Sequence, residues 1–275
     1  MTPDLYVPLV TPFTAAGGIA HDALEALAEE VLADGARGLV ALGTTGEPGS
    51  LDDEERDRVV EVVGRVCRRA GARFVVGVGD GRRGLGRWKT APDAALATVP
   101  AFTRPGEAGV VAHFTALAAR SGVPLLVYHV PARTGQQLTA RALRELAAIP
   151  GVTGVKYAVG GIDAETVDLL GDRPAGFDVL AGDDVFAPAL LALGATGAVT
   201  ASAHLDTAAW AELAATGDRA LGHRLAARAA ALFREPNPTV IKAALHAQGR
   251  IPTPDVRLPL LPAGPRALAG VRLGT

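Results

Sequence analysis

HDALEALAEEVLADGARGLVALGTTGE, residues 21–47, changes its hydrophobic period halfway along, and that change sets the expected fold class. Residues 21–35 carry apolar side chains three and four positions apart, which predicts an amphipathic helix with Asp22 as N-cap and Gly35 as its stop. The run GLVAL, residues 38–42, is typical of a short buried strand. The unit therefore consists of a helix, a strand and a polar turn, GTTGE.

The same alternation recurs along the chain. Short apolar runs predict eight strands, at residues 5–10, 38–42, 74–78, 94–99, 124–130, 153–158, 178–182 and 197–201. Helical patterns such as residues 105–122 and 139–151 lie between most of them. Eight alternating units predict an α/β fold, a closed (β/α)8 TIM barrel over residues 1–205. The alternative is an open doubly wound sheet, although no G-x-G-x-x-G follows the first strand.

Two regions depart from the alternation. Residues 206–275 contain no strand pattern and are predicted to form a C-terminal helical extension packed on the barrel, with helical stretches at 208–235 and 237–250. Residues 79–92, GDGRRGLGRWKTAP, contain four glycines and no apolar stripe. They are predicted to form a short, irregular or mobile connection instead of the helix expected between strands three and four.

Composition narrows the function classes. The net charge of −2 favours neither nucleic acid nor an acidic membrane surface as a partner. No apolar run reaches the roughly 18 residues of a membrane span, and the N-terminal residues lack the pattern of a signal peptide. Cys67 is the single cysteine, so no disulfide can form within the chain. A cytoplasmic location is therefore expected, with Cys67 as a small core residue.

The chain uses lysine sparingly. Of its 27 basic residues only Lys89, Lys156 and Lys242 are lysines. Arginine does not deprotonate in proteins, whereas a buried lysine can act as a neutral nucleophile. Lys156 lies within an apolar strand, GVKYAV, where the alternation of two puts it on the face opposite Val155 and Tyr157. Lys156 is predicted either to form a buried ion pair or to be a nucleophile that points into the barrel mouth.

Polar residues follow the predicted strands at their carboxyl ends, where barrel enzymes place their chemistry. They are the turn GTTGE after strand two, Tyr128-His129 at the end of strand five, Lys156 in strand six, Asp183-Asp184 after strand seven and Thr200-Ser202 after strand eight. Each has a simpler interpretation: GTTGE as a helix-capping turn, the aspartates as an N-cap rather than a metal site, and His129 as a core residue. Lys242 is expected to be solvated or ion-paired, and Lys89 to lie on the surface.

Several of these motifs together resemble the dihydrodipicolinate synthase / N-acetylneuraminate lyase family. The resemblance runs through LVTPF, GTTGE, YHVPARTG, GVKYAVG, AGDD, EPNPTVIKAALHAQG and RLPLLP, in that order. It implies a (β/α)8 barrel, commonly a homotetramer built from tight dimers. It also implies a Schiff base between the lysine of strand six and pyruvate or another 2-oxo acid, and GTTGE with R-T-G is more similar to the synthase branch.

The resemblance also implies roles for single residues. Lys156 would be the Schiff-base nucleophile, Tyr128 the general acid/base, and Thr44 a link in its proton relay. Thr45 would hold the pyruvate carboxylate, with donors from the turn that includes Gly46. Arg133 would contact a carboxylate of the second substrate, and the backbone carbonyl of Val199 would face the pyruvate pocket.

Two positions depart from the family pattern. Phe102 stands where synthases have the tyrosine that reaches across the dimer into the neighbouring relay, so the relay is predicted to lack its outer hydroxyl. His129 replaces the usual asparagine beside Tyr128, and is predicted to bring a titratable group to the rim.

The expected function is a Schiff-base-forming, pyruvate-dependent lyase, most similar to 4-hydroxy-tetrahydrodipicolinate synthase. It would condense pyruvate with an aldehyde, aspartate semialdehyde, and need no metal or organic cofactor. Two alternatives remain open: an aldolase, lyase or dehydratase for another 2-oxo acid, and a non-catalytic paralogue that binds a 2-oxo acid. The expected assembly is a homodimer or homotetramer.

Overall fold

The structure is a computed structural model that describes residues 3–81, 85 and 88–271. Its centre is a closed barrel of eight parallel strands, in which each strand pairs with its neighbours in chain order and β8 pairs with β1. The strands are β1 Asp4–Pro8, β2 Gly38–Ala41, β3 Arg73–Gly77, β4 Ala94–Thr98, β5 Leu125–His129, β6 Val152–Tyr157, β7 Asp178–Ala181 and β8 Gly197–Val199. The predicted TIM barrel is confirmed, and the open-sheet alternative is wrong.

Helices surround the barrel. They are α1 His21–Ala33, α2 Asp53–Ala70, α3 Gly106–Ser121, α4 Pro131–Thr134, α5 Ala140–Ala147, α6 Ala164–Gly171, α7 Ala187–Ala192 and α8 Ala203–Thr216. The helix α2 shows why these segments start where they do. The Asp52 side chain accepts a hydrogen bond from the Glu55 N–H, and the Glu55 carboxylate accepts one from the Asp52 N–H, which satisfies two of the first free N–H groups.

The helix α1 begins one residue before its expected cap. Ala20 occupies the N-cap position, and Asp22 lies inside the first helical turn, so the prediction of Asp22 as N-cap is wrong. The predicted stop is correct: the helix ends at Ala33, and Gly35 has a φ of 106°, a left-handed conformation that favours glycine.

Strand alternation separates two packed layers. Side chains that point inward fill the barrel; they include Tyr6, Val40, Val75, Leu96, Leu126, Tyr128, Leu180 and Val199. Side chains of the opposite phase, such as Leu39, Val127, Val155 and Tyr157, pack against the helices. This is the arrangement expected of a period of two, and it leaves the barrel interior filled rather than open.

The C-terminal region is helical, as predicted. It contains α9 Arg219–Leu232 and α10 Thr239–Ala247, and Gly217, with a φ of 66°, separates α8 from α9. Apolar residues of α10, Ile241 and Leu245 among them, pack in one cluster with Val10 and Leu27 of the barrel unit. The predicted domain boundary at residue 205 falls inside α8, and the division into two domains stays a prediction.

The connection between β3 and β4 has no helix among its described residues, 78–81, 85 and 88–93, which form turns, bends and irregular segments. The rest of the predicted irregular segment, residues 82–84, 86 and 87, lies outside the described residues. Lys89 is on the surface, as expected, with its side chain 71% exposed and its ammonium 2.9 Å from Glu61 Oε1.

Candidate active site

Lys156 lies on β6, one residue before the carboxyl end of the strand. Its side chain is buried, with 6% of its surface exposed, and its Nζ lies 4.5 Å from the centre of the Tyr128 ring. Tyr128 is the register partner of Lys156 on β5, so neighbouring strands aim both side chains into the barrel mouth. The predicted inward direction of Lys156 is confirmed.

The ammonium of Lys156 has no salt-bridge partner among the described residues. The alternative interpretation, a buried lysine that serves as half of an ion pair, is therefore wrong for this position. A buried amine beside an aromatic face, with no carboxylate bonded to it, is free to form a covalent bond with a carbonyl carbon.

Gly182 makes room for the lysine. A Cβ at this position would lie 2.6 Å from Lys156 Cγ and 2.9 Å from its Cε, well inside van der Waals contact. The Gly182 N–H also donates to the carbonyl of Tyr157, which ties the end of β7 to β6. Sequence reasoning noticed this glycine only as part of the motif AGDD, because a close approach between two strands leaves no local signal.

Asp183 and Asp184 follow β7 at the same rim. Burial raises the pKa of both carboxyl groups, and the neighbouring charge of Lys156 opposes that shift in each case. Asp184 Oδ1 accepts a 2.6 Å hydrogen bond from the backbone N–H of Ser202, which links the end of β7 to the end of β8. Phe186 occupies the N-cap position of α7, so the interpretation of the two aspartates as its N-cap is wrong.

The turn GTTGE forms a short 3₁₀ helix, Thr44–Gly46, directly after β2. Thr45 is buried, and its hydroxyl oxygen accepts a 2.9 Å hydrogen bond from Nδ2 of Asn237. Gly46 shapes the turn, because its N–H donates to Gly43 O and its carbonyl accepts from the Thr11 hydroxyl. The turn follows the carboxyl end of β2, so Thr45 lies at the rim of the barrel.

Three other predicted site residues lie at the same end of the barrel. Thr44 is half-buried, and no hydrogen bond among the described residues joins its hydroxyl to Tyr128. Arg133 lies in α4, after β5, and its exposed guanidinium forms no ion pair with a described residue. The Val199 side chain lines the barrel interior. The relay, second-substrate and carbonyl roles of these residues stay predictions.

His129 does not reach the rim, which corrects the prediction made from its position next to Tyr128. It is fully buried on the outer face of β5, where its ring centre lies 5.7 Å from that of Tyr157. The reason is the strand period of two, which sends consecutive side chains to opposite faces. Burial lowers the pKa of His129 to about 4, and neither ring nitrogen has a hydrogen-bond partner among the described residues.

Sequence reasoning also missed Asn237 and Glu47. The chain contains one asparagine, and that residue contacts Thr45 across 192 positions of sequence. Glu47 is buried and bonded to Lys242, so Lys242 is an ion-paired residue and not a solvated one. The rarity of asparagine was visible in the sequence, whereas its partner was not.

Neither a metal cluster nor a membrane-spanning helix is found in the described part of the chain. No group of three or more His, Cys, Asp or Glu side chains is arranged there to hold a metal ion. None of the helices there is long and apolar enough to cross a bilayer.

A barrel that sets a buried, unpaired lysine on β6, against a tyrosine of β5 and next to a threonine turn, defines an enzyme of the class I aldolase type. Sequence comparison narrows this class. The sequence model of the Dihydrodipicolinate synthetase family matches residues 2–268, so the chain belongs to that family.

Individual relatives agree with this assignment. The 4-hydroxy-tetrahydrodipicolinate synthase of Neisseria meningitidis serogroup B is 34% identical to this chain, over 97% of this chain and 95% of the relative. The solved structure of the chloride-inhibited dihydrodipicolinate synthase of Acinetobacter baumannii, complexed with pyruvate, superposes with a TM-score of 0.89 at 30% identity, and the alignment covers 99% and 97% of the two chains. A structure described as a monomeric dihydrodipicolinate synthase variant has a TM-score of 0.90 at 25% identity, covering 98% of this chain and 94% of its own.

Proposed function

We propose that this protein is a Schiff-base-forming lyase that acts on pyruvate, most similar to 4-hydroxy-tetrahydrodipicolinate synthase. The observation that carries the proposal is the buried amine of Lys156, 4.5 Å from the centre of the Tyr128 ring and without a salt-bridge partner among the described residues. The name of the pyruvate-bound relative supports the choice of pyruvate as first substrate.

The chemistry follows from the groups in the barrel mouth. The neutral amine of Lys156 attacks C2 of pyruvate to form a carbinolamine, and loss of water leaves a protonated imine. The imine withdraws electrons from the methyl carbon, which loses a proton and becomes the nucleophilic carbon of an enamine. That carbon then forms a bond to the carbonyl carbon of an aldehyde, whose oxygen takes up a proton.

Neighbouring residues are proposed to transfer the protons and to bind the carboxylates in this reaction. Tyr128, whose ring lies against the amine, is the proposed acid and base for these proton transfers. The Thr45 hydroxyl is the proposed donor to the pyruvate carboxylate. Arg133 is exposed after β5 and is the proposed partner for a carboxylate on the aldehyde substrate. The protonated imine is itself the electron sink, so the scheme uses no metal or organic cofactor.

The proposed second substrate is aspartate semialdehyde, which would place the enzyme in lysine biosynthesis. The names of the sequence relatives and the position of Arg133 support this choice. A coupled assay with pyruvate and aspartate semialdehyde tests it, and turnover is expected. Absence of turnover, together with formation of the pyruvate adduct, would reject this second substrate and leave the Schiff-base chemistry intact.

A specific observation favours the alternative, an aldolase or dehydratase for another 2-oxo acid. Phe102 has no hydroxyl to complete a relay, and a lost general acid or base costs about 10²–10⁴-fold in rate. Borohydride trapping with a series of 2-oxo acids, read by mass spectrometry, separates the possibilities. Adducts with other 2-oxo acids but no synthase turnover would support the alternative, and no adduct at all would support a non-catalytic binding protein.

We infer that the protein forms a homo-oligomer, a dimer or tetramer, in the cytoplasm. The side chain of Phe102 is 94% exposed in the single chain and adopts a φ of 67°, which is rare for a bulky residue. A second copy would remove this ring from water. Light scattering coupled to size-exclusion chromatography is expected to give more than one chain per particle, and Phe102→Ser to shift the distribution toward monomer.

A further inference from the structure

Hydrogen bonds from the C-terminal region of the chain fix the turn that contains Thr45. Glu47, at the end of the turn, adopts a φ of 53°, a conformation that costs free energy for any residue other than glycine. Its Oε1 accepts a 2.8 Å hydrogen bond from Lys242 Nζ, and its Oε2 accepts a 2.9 Å bond from the backbone N–H of Arg257. The turn is therefore fixed by partners about 200 residues away in sequence.

Lys242 is bonded to the N-terminal segment as well. Its Nζ donates to Thr11 O at 2.8 Å and lies 4.0 Å from the centre of the Phe13 ring, and none of its surface is exposed. The hydroxyl of Thr11 donates to the carbonyl of Gly46. One end of α10 thus joins the segment after β1 to the turn after β2, and the barrel mouth is built in part by the C-terminal region.

Asn237, just before α10, contacts the Thr45 side chain of the same turn. Its Nδ2 donates to Thr45 Oγ1 at 2.9 Å, so a lone pair of the hydroxyl oxygen is occupied and the hydroxyl proton must point elsewhere. Its own amide oxygen is buried and has no partner among the described residues. Leaving the amide oxygen of Asn237 buried and unpaired costs free energy. In this orientation the side chain places its N–H group, and not its carbonyl oxygen, against the Thr45 hydroxyl.

We propose that Asn237 is a positioning residue for the carboxylate of the 2-oxo acid. By donating to Thr45 Oγ1, it leaves the Thr45 hydroxyl as a donor, and a donor is what a carboxylate requires. Asn237 itself does not touch the substrate. The inference rests on the proposed function, because it assumes that Thr45 binds the carboxylate of the acid that reacts with Lys156.

The test is the pyruvate concentration that gives half-maximal borohydride-trapped adduct at Lys156. Asn237→Asp is the sharpest variant, since it has the same shape but its carboxylate accepts the Thr45 proton and repels the substrate carboxylate. It is expected to raise the half-maximal concentration at least about tenfold. Asn237→Ala removes the donor without adding a charge and is expected to raise it about threefold. The maximal adduct at saturating pyruvate should stay the same in both.

Two comparisons make the test specific. In Thr45→Val, which has no hydroxyl to orient, adding Asn237→Ala should change the half-maximal concentration by less than about twofold. Glu235→Ala is the matched control, because Glu235 lies two residues away and bonds Gly264 in the C-terminal segment. It should leave the half-maximal concentration at the wild-type value.

The possible results distinguish the positioning role of Asn237 from the proposed function. The positioning role would be overturned by an unchanged half-maximal concentration in Asn237→Asp. It would also be overturned if the increase in the double variant equalled the product of the increases in Asn237→Ala and Thr45→Val. In either case a pyruvate adduct in the wild-type protein would still support the proposed function. A wild-type protein that forms no adduct with pyruvate would overturn the proposed function and the inference with it. If Asn237→Asp does not fold, the cycle of Asn237→Ala and Thr45→Val carries the test alone.

Discussion

The two buried lysines of this protein differ in what surrounds the ammonium group. Lys242 is bonded to the carboxylate of Glu47 and to the carbonyl of Thr11, and its Nζ lies over the Phe13 ring. Lys156 also lies over an aromatic ring, that of Tyr128, but has no salt-bridge partner in the described part of the chain. Burial is common to both lysines, and the bonded carboxylate is what separates them.

The difference distinguishes a lysine that stabilises the fold through an ion pair from a lysine that is available as a nucleophile. Taking a charge out of water costs several kcal/mol unless a partner compensates. At Lys242 the compensation is built in, although burial still lowers the pKa of this lysine against the opposing effect of Glu47. At Lys156 no described carboxylate is bonded to the amine, although the charges of Asp183 and Asp184 interact with it from the same rim, and the amine is available for bond formation.

The largest effect is expected at Lys156. Lys156→Met keeps the length of the side chain and removes the amine, so the borohydride-trapped pyruvate adduct should disappear completely. The free energy of unfolding should stay equal or rise, because no buried amine remains to be desolvated. Mass spectrometry and urea unfolding measure the two effects.

Lys89→Met is the matched control for this substitution. Lys89 is exposed and paired with Glu61 on the surface, so its variant should form the adduct at the wild-type level. An adduct that persists in Lys156→Met and is lost in Lys89→Met would reverse the assignment of the nucleophile.

The second effect concerns stability. Lys242→Met should lower the free energy of unfolding by about 3–5 kcal/mol, because it leaves the Glu47 carboxylate buried without its charge partner. Urea unfolding of the purified variant measures the loss. The double variant Lys242→Met/Glu47→Gln should regain part of it, since the uncompensated charge is gone. A loss below about 1 kcal/mol in the single variant would contradict the distinction between the two lysines.

The smallest effect is expected at His129, which, like Lys156, is buried without a bonded partner. Burial lowers its pKa from 6.5 to about 4, so below pH 6.5 the unfolded chain binds a proton that the folded protein does not. Stability should therefore fall as the pH decreases from 6.5 to 4, by up to about 3 kcal/mol from this residue. His129→Leu should flatten that decline in urea unfolding measured at several pH values.

A residual decline should remain in His129→Leu. Burial also lowers the pKa of His204 to about 4, and its Nε2 accepts a hydrogen bond from Val10 N that protonation would break. Equal acid sensitivity in wild type and His129→Leu would mean that His129 does not contribute.

Much of the barrel was predictable from local sequence. Each strand is a few residues long and carries its own alternation, so the directions of Val155, Lys156 and Tyr157 followed from neighbours along the chain. The same logic, applied to His129, would have placed it on the outer face opposite Tyr128. Of the two interpretations of His129, the core residue is confirmed, and the titratable group at the rim, which came from its position in the family motif, is wrong.

The ends of helices and the partners of buried polar side chains were harder to predict from the sequence. The N-cap of α1 is Ala20, two positions before the expected Asp22, and helix ends are the least sharply defined part of a helical pattern. The partners of Lys242 and Asn237 were not predicted, since Glu47 and Thr45 lie about 190 positions away in sequence.

The sequence by itself determined the order of strands and helices, the alternation of side chains between the two faces of a strand, and the placement of Lys156 at the carboxyl rim. These properties depend on periods of a few residues, and hydrophobic patterning encodes them locally. Only the tertiary structure decided that Glu47 compensates Lys242, that no carboxylate bonds Lys156, and that Asn237 donates to Thr45. These contacts arise when barrel closure and the docking of α10 bring distant segments together, which no local pattern can encode.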